Sequence, residues 1–158
     1  MLRRAEPKDL PAIAALTAAH PMQLLVQDAE ELARIGDDPA NRVLVWENTS
    51  TEGGIDGFAV IELLYPQVMF LTNLGLARPG SGEGKALIDA TLRVVFEDMQ
   101  AHRLFCDIAF DNEPALRAFR RAGLVQEGTM RQCWLRADGI WADCHAFSML
   151  KHEWQNGA

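Results

Sequence analysis

Arg78-Pro79-Gly80-Ser81-Gly82-Glu83-Gly84-Lys85 runs directly into ALIDATLRVVFEDM, residues Ala86–Met99. Three glycines alternate with other residues, and then apolar side chains recur at helical spacing. Ile88, Leu92, Val95, Phe96 and Met99 fall on one stripe, which predicts a helix over Glu83–Ala101. Immediately upstream, Val68–Leu76 (VMFLTNLGL) reads as a strand. A strand, a glycine loop and a helix start form the arrangement in which backbone amides and the helix dipole hold a phosphate.

Working outward, Leu2–Arg4 is a short strand, and Pro7-Lys8-Asp9 opens a helix carrying Leu10, Ile13, Ala14 and Thr17, stopped near His20 by Pro21. Gln27–Ile35 is a second helix, ended by Gly36-Asp37-Asp38-Pro39. The period then changes: Arg42–Asn48 and Asp56–Leu63 are strands joined across the turn-rich Thr49–Gly54. Beyond the central helix, Arg103–Phe110 is a strand ended by Asp111-Asn112. Glu113–Ala122 is a short helix with Ala115, Ala118, Phe119 and Ala122 on its inner face and Gly123 as its C-cap. Glu127–Arg136 and Ile140–Leu150 flank the hairpin signal Ala137-Asp138-Gly139. There is no repeat, low-complexity tract or linker, so residues 1–158 read as one mixed α/β domain.

The bulk numbers narrow the function. A chain of 158 residues can bury roughly 70% of its unfolded surface around one core. The net charge of -7 argues against a nucleic-acid partner and is compatible with a cationic one. Cys106, Cys133 and Cys144 make an odd count without C-x-x-C spacing, so reduced thiols and no metal are expected. No apolar region follows the charged N-terminus, and no apolar run approaches the ~20 residues of a membrane span. A cytoplasmic location without membrane association is the expectation.

Three chemistries compete for the glycine loop. A nucleotide P-loop, G-x-x-x-x-G-K-[ST], would put Pro79 at its first glycine and Ala86 at its magnesium-binding hydroxyl, so two defining positions fail. A dinucleotide fingerprint, G-x-G-x-x-G, accepts Gly80 and Gly82 but meets Lys85 at its third glycine. The third is the pyrophosphate loop of acyl-coenzyme A enzymes, G-x-G/A at a helix start, which Gly82-Glu83-Gly84 supplies. A glycine-rich turn that binds nothing stays open beside it.

Downstream context bears on that choice. Over essentially its whole length the chain resembles the GNAT superfamily of N-acetyltransferases. LRRAEPKDLPAIAAL resembles the family's first strand and helix, VLVWEN and GIDGFAVIEL its second and third strands, and NLGLARPGSGEGKAL its central coenzyme A motif. DNEPALRAFRRAGLVQEG resembles N-x-x-A-x-x-x-Y-x-K-x-G-F followed by E-G, and LRADGIWADCHAFSML is similar to the G-x-W-x-D ending of the ribosomal-protein alanine N-acetyltransferase branch. The resemblance implies an α/β (α+β) fold, a mixed, mostly antiparallel sheet of about seven strands flanked by about four helices. It also implies acetyl transfer from acetyl-coenzyme A to a primary amine by direct attack, the acceptor being a peptide or protein N-terminus or a small molecule such as a polyamine or another small amine. A homodimer stays open.

By the same resemblance, Leu74 and Leu76 would bond the pantetheine arm through their backbones. Amides of Gly80, Ser81, Gly82, Glu83, Gly84 and Lys85 would hold the pyrophosphate. Asn112 would contact the cofactor, with a helix N-cap as its other reading. Arg78, Lys85, Arg117, Arg120 and Arg121 are within reach of phosphates or are merely solvated. The backbone N–H at a fourth-strand bulge near Leu74 would meet the oxyanion. Asp107 is the leading general base, with Glu62 and Glu47 behind it. Two departures stand out. Pro79 replaces the family's usual Arg or Gln after a short spacer, and Phe119, placed against the cofactor, replaces the usual tyrosine acid. Tyr65 lies in another segment. A thiol of pKa ~8.5 leaves near neutral pH without full protonation, so Ser148, Cys144, water or no acid at all would serve. A non-catalytic acyl-coenzyme A sensor is the rival reading. His145 alternates with Cys144 across the last strand, which argues against a Cys–His site. Trp46, Trp134, Trp141 and Trp154 either line a groove or pack.

Overall fold

The computed structural model describes residues 1–47 and 54–157. Seven strands form one sheet in the order β1-β2-β3-β4-β5-β7-β6. They are β1 (Leu2–Arg4), β2 (Arg42–Trp46), β3 (Gly57–Tyr65), β4 (Val68–Leu76), β5 (Arg103–Ala109), β6 (Val125–Leu135) and β7 (Trp141–Leu150). Five helices surround it among the described residues: α1 (Leu10–Ala19), α2 (Ala29–Asp37), α3 (Gly84–Arg93), α4 (Glu113–Arg121) and α5 (Lys151–Gln155). All neighbouring strands are antiparallel except β4 and β5. The connection predicted over Thr49–Gly54 lies outside the described residues except for Gly54, as does Asn48 at the predicted end of β2.

The two sheet faces bury separate clusters. Leu71, Ile88, Phe96, Leu104, Phe119 and Phe147 belong to the cluster under α3 and α4; Ile13, Leu32, Val43, Val45, Phe58 and Val60 form the one under α1 and α2. Local chemistry sets the helix limits. Asp28 caps α2 by accepting from the Glu31 N–H at 2.8 Å. Asn112 caps α4 by accepting from the Ala115 N–H at 3.4 Å. At its other end Leu124 N–H donates to Phe119 O at 3.1 Å, so α4 closes at Gly123 as its sequence predicts.

Four features differ from the sequence reading. The second helix begins at Ala29 rather than Gln27 and runs on through Gly36 and Asp37, which were expected to end it. The helix predicted to Ala101 turns π-helical over Val94–Asp98, where Met99 N–H donates to Val94 O. The inner face of α4 includes Leu116, 2% exposed, which the stripe of alanines and Phe119 omitted. A fifth helix, α5, follows β7, where Trp154 stacks on Phe96 with ring centroids 5.5 Å apart. No described helix is long and apolar enough to cross a membrane.

Candidate active site

The site begins where β4 and β5 part. Their parallel pairing covers only Val68–Phe70 against Arg103–Phe105, so both strands run on without pairing to each other. On its other edge β4 carries a bulge: Val60 pairs with Asn73 but Ile61 with Leu71, leaving Thr72 as the extra residue. The bulge reverses the pleat. Asn73 therefore turns to the α1–α2 face, where its amide donates to Leu25 O at 2.7 Å and Gln27 Oε1 at 3.1 Å. Leu74, two residues after the bulge position, packs instead against the α3–α4 cluster.

Two adjacent cavities with shared lining residues occupy the gap. The larger, about 730 Å³, is bounded by Leu74–Leu76, the glycine loop, the start of α3, and α4 with Asn112. The smaller chamber, about 180 Å³, opens between Phe70–Leu74 and Cys106–Ala109 and is closed by Cys133, Trp134 and Cys144. Leu74, Asn112 and Phe119 border both. Gln23 and Leu24, from the α1–α2 connection, also border both, and Gly75 lets that connection approach. A Cβ at Gly75 would lie 2.8 Å from Phe58 and 3.0 Å from Leu24.

Each residue singled out in the sequence has a definite place. Gly80 and Gly82 both adopt φ of +86°, the left-handed region open to glycine, and line the large cavity with Pro79, Gly84 and Lys85. Gly84 and Lys85 open α3, so their N–H groups have no intrahelical acceptor. Ser81 is exposed and joined through its hydroxyl to Glu83, a half-buried residue whose carboxylate also accepts from the Trp46 indole at 3.5 Å. Lys85, Arg117 and Arg121 line the same cavity, with Lys85 also paired to Asp89 at 2.5 Å and Arg117 to Glu113 at 3.6 Å. Arg78 instead pairs with buried Asp56 at 3.0 Å and anchors the loop to β3. Arg120 reaches Gln126 at 2.9 Å.

Asp107 lies on β5 beyond the last β4–β5 pair, and its carboxylate reaches the small chamber. Burial pushes its carboxyl above the ordinary value, against a smaller lowering by a backbone hydrogen bond. Phe119 is 6% exposed and belongs to the core as well as to the cavity wall. Tyr65 is 64% exposed at the β3–β4 turn, outside both cavities. Of the lesser acid and base candidates, Glu62 accepts from Thr72, a chamber residue. Glu47 is held by Arg3 and the N-terminal amine and lines neither cavity. Ser148 donates to Glu127 at 2.6 Å, away from the chamber.

Sequence reasoning missed two parts of the site. The first is Cys133, which joins Trp134, one of the tryptophans expected to line a groove or pack, in the chamber's end wall through a register shift in β6 that no local pattern announces. The other is Arg136, at the β6–β7 hairpin. Its guanidinium is 7% exposed and bonds both Asp111 oxygens at 2.9 Å, tying the hairpin to the loop that carries Asn112.

The sequence matches no family model and no curated protein. Solved structures do match the fold. A mutant of spermidine N-acetyltransferase SpeG from Vibrio cholerae superposes with a TM-score of 0.84 at 20% identity, covering 99% of this chain and 98% of that one. The ribosomal-protein-S5-alanine acetyltransferase from Vibrio fischeri gives 0.80 at 17% identity, covering 97% and 93%. This is the GNAT acetyltransferase fold. Another SpeG structure, described as dodecameric, gives 0.83 at 19% identity over 99% of this chain and 96% of that one.

Proposed function

We propose that this GNAT-fold protein transfers the acetyl group of acetyl-coenzyme A to a primary amine. One observation carries the reading: a cavity at the glycine loop and the α3 N-terminus shares the walls Leu74, Asn112 and Phe119 with a chamber in the β4–β5 gap, which is lined by a partly buried carboxylate. The residues fit the cofactor. The first-turn amides of α3, the left-handed glycines and the flanking Lys85, Arg117 and Arg121 suit a pyrophosphate. The backbone of β4 beyond Phe70, released from β5, suits an amide-bearing arm at Leu74 and Leu76.

Asp107 then accepts the proton that an ammonium must lose before it can attack. An alkyl ammonium has pKa ~10.4 and an α-ammonium ~8, so this loss opposes reaction near neutral pH. Burial raises the proton affinity of Asp107 in the direction that assists it. The Leu74 N–H is assigned the developing oxyanion, and Phe119 excludes water without donating a proton. A thiol of pKa ~8.5 departs without an obligatory acid.

The acceptor is assigned to monoamines, such as a peptide N-terminus or a small amine. In support, Asp107 is the carboxylate among the chamber's lining residues, whereas several cations along one polyamine would each want a partner. Calorimetric titration with acetyl-coenzyme A, controlled by ATP and NAD, tests the cofactor. Release of coenzyme A thiol with short peptides, small monoamines and spermidine tests the acceptor. Turnover greatest with monoamines supports the reading. Preference for spermidine overturns the acceptor assignment, tight cofactor binding without turnover on any amine favours the sensor, and no cofactor binding overturns both. Sedimentation of the same preparation distinguishes a monomer from a homo-oligomer.

A further inference from the structure

Cys133 from β6, Cys144 from β7 and Asp107 from β5 converge at the end of the chamber. One carboxylate oxygen and the two sulfurs lie within 4.8 Å of one another. The convergence is built into the sheet. Cys144 is fixed by pairing with Ala109 on one side and Met130 on the other. The β6 register then shifts between Met130 and Trp134, with Gln132 at φ +47° and its N–H donating to Asp143 Oδ1 at 2.8 Å. That pinned irregularity brings Cys133 beside Cys144, although simple alternation would not.

We propose that Asp107, Cys133 and Cys144 bind one thiophilic divalent cation of the zinc class, with a fourth position open to the chamber. Zinc held at ~2.3 Å from sulfur and ~2.0–2.2 Å from oxygen places tetrahedral ligand atoms roughly 3.5–3.8 Å apart. The present spread needs a contraction of about 1 Å, which side-chain rotation at exposed Cys133 can supply. Two sulfur ligands select against magnesium and calcium, which take oxygen. Nearby, the Arg136 guanidinium is bonded to both Asp111 oxygens at 2.9 Å. Occupancy would remove Asp107 from proton transfer and block the amine. That consequence rests on the proposed acetyl transfer; cation binding itself does not.

The test uses the full chain, reduced and freed of reductant under anaerobic conditions, with Co²⁺ as a spectroscopic probe. Expected is a thiolate-to-cobalt charge-transfer absorption that saturates at one equivalent and is displaced by Zn²⁺. Cys133→Ser, at an exposed position, should reduce the absorption to about half and weaken Zn²⁺ binding at least ~10-fold, by loss of a ligand. Asp107→Asn should weaken Zn²⁺ binding while leaving the thiolate band. Cys106→Ala, which alters a thiol outside the cluster, should change neither. No charge-transfer band, unchanged Zn²⁺ affinity in Cys133→Ser, or a Cys133–Cys144 disulfide that resists reduction would each overturn the site. These readouts need no acetyl-coenzyme A, so their failure and a failure of acetyl transfer are separately visible.

Discussion

Asp107→Asn removes a charge while keeping the side chain's size, so its effects separate chemistry from packing. In the folded chain the carboxyl is partly buried, and burial holds it above its ordinary proton affinity against a smaller backbone hydrogen bond. A carboxyl raised in this way binds its proton more tightly folded than unfolded. Its contribution to stability therefore falls as pH rises from the unfolded value through the folded one. Above that window the ionised group disfavours folding, and Asn relieves the penalty. Thermal melting at about pH 8 should then be unchanged or shifted upward. Activity should move the opposite way. A positioned general base contributes ~10²–10⁴-fold, which at 1.36 kcal/mol per decade is ~3–5 kcal/mol of barrier. The remaining chamber wall supplies no second carboxylate. The assay is coenzyme A thiol release at saturating acetyl-coenzyme A, with kcat and acceptor KM measured beside the melt. The expected result is a fall in kcat of ~100-fold or more without loss of stability. A kcat within about threefold of wild type would refute the base, and a comparable loss accompanied by a lower melting temperature would make Asp107 a structural residue.

Gly82→Ala meets no atom within 4 Å of the new Cβ, so its cost is the left-handed backbone alone, ~1–2 kcal/mol. The chain should fold while KM for acetyl-coenzyme A rises, and an unchanged KM would dissociate the loop from the cofactor. Phe119→Tyr places a hydroxyl on the wall shared by both cavities. It should raise kcat below the thiol's pKa of ~8.5 and lose its advantage above it, as a full pH–rate profile would record. Glu127 accepts from Arg103 at 2.7 and 2.5 Å and from Ser148, and these bonds hold its carboxyl down at about 2. A depressed carboxyl stabilises above its unfolded value and loses that contribution as pH falls toward 2. Glu127→Gln should therefore flatten acid unfolding between about pH 4.5 and 2, by a small amount because the carboxylate is 42% exposed.

What the sequence revealed of this site follows from what each residue does. The strand Val68–Leu76, the left-handed glycines and the Asn112 cap were legible because their tasks are conformational, and conformation is written in a few adjacent residues. The π turn at Val94–Asp98 was not, since its apolar stripe still reads as an α-helix. Nor was α5, five residues too short to display a period. On α4 the apolar pattern could not divide core from cavity: Leu116 fills the core, while Ala115 and Ala118 line the cleft. The chemical residues are harder still. Asp107, Cys133 and Cys144 come from three strands, and a slip of one residue would send each to the opposite face. Their meeting depends on the β4–β5 gap and the β6 register shift, which arise only when the whole sheet assembles. A carboxyl's proton affinity and a thiol's access to a cation are thus properties of the assembled sheet, and conservative replacements on facing strands are the perturbations that read them.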